Sequence, residues 1–109
     1  MIKFLKALFG FGPKINYAEL VRTGALLMDV RTKREFQDGH INGSINIPLK
    51  TLNDQLSKLN KSKPVITCCA SGSRSAVAKR ILKSAGFSEV YNGGAWHSLQ
   101  YKIRKTKSN

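Results

Sequence analysis

Only two cysteines occur in the 109 residues, and they are neighbours, Cys68 and Cys69. A disulfide between adjacent cysteines closes a strained ring, which argues against a stapled extracellular scaffold and for reactive or buried thiols in a reducing, cytoplasmic compartment. Histidine is as scarce: His40 and His97 lie far from the cysteines, and no C-x2-C spacing exists, so no zinc site is expected. Long apolar runs are missing as well, which excludes a bilayer-spanning helix from the sequence pattern. Acidic residues number 6 against 19 Lys and Arg, and the formal net charge of +13 implies attraction to anions: small oxyanions, an acidic protein, nucleic acid or an anionic membrane. A basic surface that merely faces solvent is the bland alternative.

What remains fits one domain. A 12.1 kDa chain that is 41% hydrophobic can bury one core but not two. Residues 1–13 combine Ile2, Phe4, Leu5, Leu8, Phe9 and Phe11 with Lys3 and Lys6. They read as a short amphipathic segment that lies on the domain or touches a membrane surface weakly. Residues 14–101 carry the domain. Residues 102–109 read as a basic disordered tail; no aromatic or Gly-rich RNA motif accompanies it, so no specific nucleic-acid partner is expected, and the protein is expected to be a monomer.

Within the domain the pattern is an α/β alternation. Tyr17 to Arg22 predicts a short helix ending near Gly24, and Ala25 to Val30 a central strand. Thr32 with Glu35 forms a capping-box pattern, predicting a helix over Lys33 to Asp38 stopped by Gly39. Ser44 to Ile47 reads as a strand, Asp54 to Leu59 as a helix, Pro64 to Cys68 as a strand and Glu89 to Tyr91 as a last short one. This order predicts a mostly parallel sheet with helices on both faces, with Arg31 and Cys69 emerging at the C-terminal strand ends where ligands bind in such sheets.

The chemistry concentrates between Pro64 and Ser75. A strand is followed by the small-residue loop Ala70-Ser71-Gly72-Ser73-Arg74, and from Ser75 the sequence has helical periodicity, with Val77, Ile81, Leu82 and Ala85 on one face and Gly86 as the stop. Such a loop turns backbone N–H groups inward at a helix N-terminus and makes an anion cradle. A helix terminus alone favours a thiolate by about 0.3–1 kcal/mol, so Arg74 is expected to add positive potential.

The motifs Asp29-Val30-Arg31 with Glu35-Phe36, Gly39-His40-Ile41-Asn42-Gly43-Ser44-Ile45-Asn46-Ile47-Pro48, and Cys69-Ala70-Ser71-Gly72-Ser73-Arg74-Ser75 resemble, in this order, the signatures of a single-domain rhodanese. The resemblance runs from about Ile15 to Trp96. It implies a three-layer α/β fold and sulfur transfer: Cys69 takes a sulfane sulfur from an anionic donor such as thiosulfate, forms a persulfide, and passes it to cyanide, a thiol or a carrier protein, without metal or organic cofactor. By this reading Cys69 is the nucleophile and Arg74 its electrostatic support. Ala70, Ser71, Gly72 and Ser73 bind the anion with Arg31 at the pocket edge, and Asp29 and Ser75 support the site. Ala70 stands where the family often has a basic residue, and Gly93-Gly94-Ala95-Trp96 is tighter than the usual spacing, which predicts an altered C-terminal edge.

Two other readings compete. Cys68-x5-Arg74-Ser75 resembles the phosphate loop of cysteine-based phosphatases and arsenate reductases, although Gly72 stands three residues after Cys69, as a rhodanese loop requires. In the sulfurtransferase reading Cys68 is the last strand residue and a small buried hydrophobe, or a relay thiol. A non-catalytic sulfur-carrier or docking module is the third possibility. His40 is expected to bond backbone in its turn, His97 to be exposed and Trp96 to pack in the core.

Overall fold

The computed structural model describes residues 14–107. The amphipathic segment expected over residues 1–13 lies outside the described residues. Asn16 caps the first helix, α1 (Tyr17–Arg22), by accepting the Glu19 N–H at 3.0 Å. There follow β1 (Leu26–Asp29), α2 (Lys33–Gln37) and β2 (Ile45–Asn46). A 3-10 turn at Leu49–Thr51 leads into α3 (Leu52–Gln55) and a second turn at Leu56–Lys58. Then come β3 (Val65–Cys69), α4 (Ser73–Ser84), β4 (Val90–Ala95) and α5 (Trp96–Lys107).

The four strands form one parallel sheet in the order β2-β1-β3-β4. Side chains alternate across a strand, and β3 shows what this does here. Val65 and Cys69 join Met28, Leu52, Ala78, Leu82 and Phe87 in one buried cluster. Ile66 and Cys68 join Leu27, Ile41 and Leu99 in the other, against which Leu20, Trp96 and Ile103 pack. The result is the three-layer α/β arrangement expected, with α3 and α4 over one face and α1 and α5 over the other.

Three elements differ from the sequence reading, the first being β4, which runs Val90–Ala95 where a short strand over Glu89 to Tyr91 was expected. The tail expected to be disordered from residue 102 is helix through Lys107: Trp96, Leu99 and Ile103 recur at helical spacing and pack on the sheet, which outweighs the basic residues between them. Helix α4 starts at Ser73, two residues early, because Gly72 takes φ +105° and turns the chain directly into the helix. Its buried residues are Ser75, Ala78 and Leu82, with Ile81 and Ala85 packed beside them and Val77 only half-buried.

A β-bulge lies at the glycine pair. Thr67 pairs with Asn92, but Cys69 pairs with Ala95, so β4 spends one residue more than β3. Gly93 is obligatory at this point, since a Cβ there would lie 2.8 Å from the Thr67 carbonyl oxygen and 2.7 Å from Leu99. The bulge brings Asn92 and Gly94 to the end of β3, beside the cysteine loop.

Candidate active site

Cys69 is the last residue of β3, one position later than the strand end expected, and its side chain is buried at 1% exposure. Strand placement fixes the sulfur, and the turn through Ala70 to Gly72 brings the chain back over it. The Gly72 N–H donates to Sγ at 3.0 Å and the Ser75 N–H at 3.3 Å, with Ser75 Oγ at 3.4 Å and the Ser71 N–H also bonded. Burial pushes the Cys69 thiol up, but these bonds together outweigh it and hold the thiol below its ordinary value. The sulfur therefore sits in a cradle built almost wholly from backbone N–H groups. Ser71 and Ser73 are exposed on the rim, their hydroxyl oxygens 3.4 Å apart.

Arg74 closes the loop but does not reach into it. Its Nη1 and Nη2 donate to Oε1 and Oε2 of Glu35 at 2.8 and 3.0 Å. Glu35 Oε1 also accepts the Thr32 N–H at 3.0 Å, and Thr32 Oγ1 accepts the Glu35 N–H, so the capping box of α2 is complete. The Arg74 guanidinium, then the Thr32 N–H, hold the Glu35 carboxyl down at about 2.

Residues 14–96 match the family described as Rhodanese-like domain. The chain belongs to that family. Among curated relatives, the uncharacterised protein YqhL of Bacillus subtilis is 41% identical over 84 residues, covering 76% of this chain and 67% of that protein. Thiosulfate sulfurtransferase GlpE of Pseudomonas savastanoi pv. phaseolicola is 36% identical over 69 residues, covering 63% of this chain and 65% of its own. The chain thus spans about two thirds of either relative at most. A solved rhodanese with anions from E. coli superposes with a TM-score of 0.65 at 32% identity, covering 69% of this chain and 91% of that one.

In this rhodanese-like domain the Arg31 side chain is buried and paired. It is 4% exposed, its Nε and Nη2 donate to the Asp29 carboxylate at 2.8–3.1 Å, Nη2 donates to the Gly39 carbonyl at 2.7 Å, and its guanidinium lies over the Trp96 ring. The pair Asp29–Arg31 ties β1 to the turn before β2 and to the start of α5. His40 Nδ1 donates to the Phe36 carbonyl at 2.7 Å, which is the backbone bond expected, and His97 is exposed. No group of three or more His, Cys, Asp or Glu able to hold a metal exists among the described residues.

The two cysteines point to opposite faces of the sheet. Cys68 is fully buried against α1 and α5, and burial, then the nearby Asp29 charge, pushes its thiol up to about 12. The strand backbone separates the two thiols.

Glu35 and Asn92 were not marked as site residues by the sequence. Glu35 carried a helix-cap signal and stood in one of the family motifs, and Asn92 depends on the β3–β4 register. The Glu35–Arg74 pair gives a pH signature. A carboxyl depressed in the folded state stabilises fully above its ordinary value of about 4.3, and that contribution is lost as pH falls through about 2. The Tm difference between the protein and its Glu35→Gln variant is expected to be constant near neutrality and to close across that window. Thermal unfolding followed by circular dichroism from pH 7 to pH 2 tests this; a difference that persists undiminished at the acid end contradicts it.

Proposed function

We propose that this chain is a sulfurtransferase that carries a sulfane sulfur as a persulfide on Cys69. The observation that supports this reading is the convergence of the Gly72 and Ser75 N–H groups on a buried Sγ whose thiol is held below its ordinary value. A thiolate so held attacks the outer sulfur of thiosulfate. The new S–S bond forms as the bond to the sulfonate sulfur breaks, and sulfite leaves with the electron pair. The charge then rests on the terminal sulfur of Cys69–S–S⁻, within the loop of Ala70 to Arg74. A thiolate or cyanide acceptor attacks that terminal sulfur, and the Cys69 thiolate is regenerated. Arg74 acts from the rim and through Glu35, as it is not aimed at the sulfur.

Ala70 gives the rim no charge, so a protein or low-molecular-weight persulfide is favoured as donor over free thiosulfate. A phosphatase reading needs Cys68 as nucleophile, and a fully buried thiol pushed up to about 12 is unsuited to that role. Intact mass spectrometry with peptide mapping after incubation with thiosulfate, and separately with glutathione persulfide, tests the proposal. A gain of one sulfur on the Cys69 peptide, removed by mild reduction, is the expected result. No gain from either donor, with Cys69 reduced and open to alkylation, overturns it.

A further inference from the structure

One hydrogen bond around Cys69 cannot stay as it is when the thiol ionises. The Ser75 hydroxyl is fully buried and has one hydrogen to give, yet three partners surround it. Asn92 Oδ1 lies at 2.6 Å, the Gly72 carbonyl oxygen at 3.0 Å and Cys69 Sγ at 3.4 Å. While Cys69 is a thiol, its S–H can donate to Ser75 Oγ, and the Ser75 hydrogen goes to Asn92, the nearest acceptor. Once the thiol proton is gone the sulfur can only accept. A hydroxyl still turned toward Asn92 would then present its lone pairs to a negative sulfur, which is repulsive.

We propose that Ser75 is a rotating donor, its hydrogen directed to Asn92 Oδ1 in the thiol and persulfide states and to Cys69 Sγ in the thiolate state, and that Asn92 is the residue that positions it. The proposal rests on the persulfide reading above for its place in the cycle, but the hydrogen-bond switch itself needs only the ionisation of Cys69. Asn92 is held for this role from both sides. Its Oδ1 also accepts the Gly94 N–H at 2.9 Å, and its Nδ2 faces the Gly72 carbonyl oxygen at 3.4 Å. The Gly94 N–H thus keeps Oδ1 satisfied when the Ser75 hydrogen leaves, so the rotation strands no buried acceptor. The β4 bulge supplies this arrangement, since the extra residue is what sets the Gly94 N–H against the Asn92 side chain.

In the transfer cycle the switch acts on the leaving group. When an acceptor attacks the terminal sulfur of the persulfide, the S–S bond breaks and its electron pair goes to Sγ. The Ser75 hydrogen turns from Asn92 to Sγ as that charge develops. Negative charge sits on Sγ before loading and after unloading, but in the persulfide it has moved one atom outward, and the hydroxyl is released to Asn92 again. The donor is therefore strongest where charge is being formed.

The test is the pH profile of Cys69 alkylation by iodoacetamide, read by peptide mapping so that Cys68 does not contribute. Ser75→Ala removes the switched donor and is expected to move the profile up by about one unit, the worth of one hydrogen bond to a charged group. Asn92→Asp keeps the shape of the side chain but holds the hydroxyl more tightly, and it adds a negative charge near the sulfur. It is expected to move the profile up in the Ser75 protein by more than it does in the Ser75→Ala background, where only the charge is felt. Ser75→Thr, which restores a hydroxyl, is expected to return the profile toward that of the parent. An unchanged profile in Ser75→Ala, or an equal Asn92→Asp shift in both backgrounds, overturns the proposal. These outcomes are independent of sulfur loading, so a chain that shows the coupled shifts yet takes no sulfur refutes the persulfide reading and leaves the switch standing.

Discussion

The Cys69→Ser chain is expected to take up no sulfur from either donor and to lose transfer to acceptors by at least about a thousandfold, the scale on which an enzyme without its nucleophile fails. Nothing else among the described residues can replace it. Cys68 is the only other thiol and lies in the opposite layer, buried and pushed up to about 12. The paired variant makes the comparison informative. Cys68→Ser leaves the cradle intact and is expected to load and transfer within a few-fold of the parent. It does carry a stability cost of about 1–3 kcal/mol, because a hydroxyl replaces a thiol at a fully buried apolar position. Measured side by side, one variant loses chemistry without unfolding and the other loses stability without losing chemistry. Transfer lost in Cys68→Ser but kept in Cys69→Ser would reverse the assignment of the two thiols.

The largest stability effect is expected at Asp29. Its carboxylate is fully buried and accepts the Arg31 N–H at 3.0 Å in addition to the guanidinium bonds. Asn46 Nδ2 donates to the carbonyl oxygens of both residues at 3.0 Å, which fastens β2 to the same point. Asp29→Ala leaves the Arg31 charge buried with the Gly39 carbonyl and the Trp96 face alone. Removing one member of such a pair costs about 3–5 kcal/mol. In a domain of this length each kcal/mol is worth about 4–8 °C, so Tm is expected to fall by about 12–40 °C. The double variant Asp29→Ala with Arg31→Met, which removes the stranded charge and keeps an apolar stem, is expected to recover a large part of the loss. A drop of only a few degrees in the single variant, or no recovery in the double, would mean that the pair is not what holds this corner.

How much of this could be read in the sequence follows from the range of each interaction. The strands were legible because Leu26 to Asp29 and Val65 to Cys69 are short apolar runs, and the Thr32–Glu35 cap because both partners lie within one turn. The loop that follows Cys69 was legible for the same local reason. The burial of Arg31 was not legible, since an arginine at a strand end reads as a pocket residue and only the fold brings Gly39 and Trp96 around it. Glu35 and Arg74 are 39 positions apart, and only the packing of α2 beside α4 joins them. Asn92 reaches the loop through a bulge that no periodicity announces. Helix α5 was hidden by its own charge, because three apolar residues among lysines and arginines carry little signal without a sheet to pack on.

One carboxylate, Glu35, caps α2 and grips the arginine that ends the cysteine loop. The two elements therefore share a single fastening and should open as one unit. If the first turn of α2 frays, the grip on Arg74 goes with it, and if the loop swings out, the α2 cap loses a neighbour that orients it. Amide exchange at the start of α2 and through the Gly72 loop should rise and fall together, faster than in β1 or β3. The breathing of a five-residue helix then becomes the clock for access to a buried sulfur.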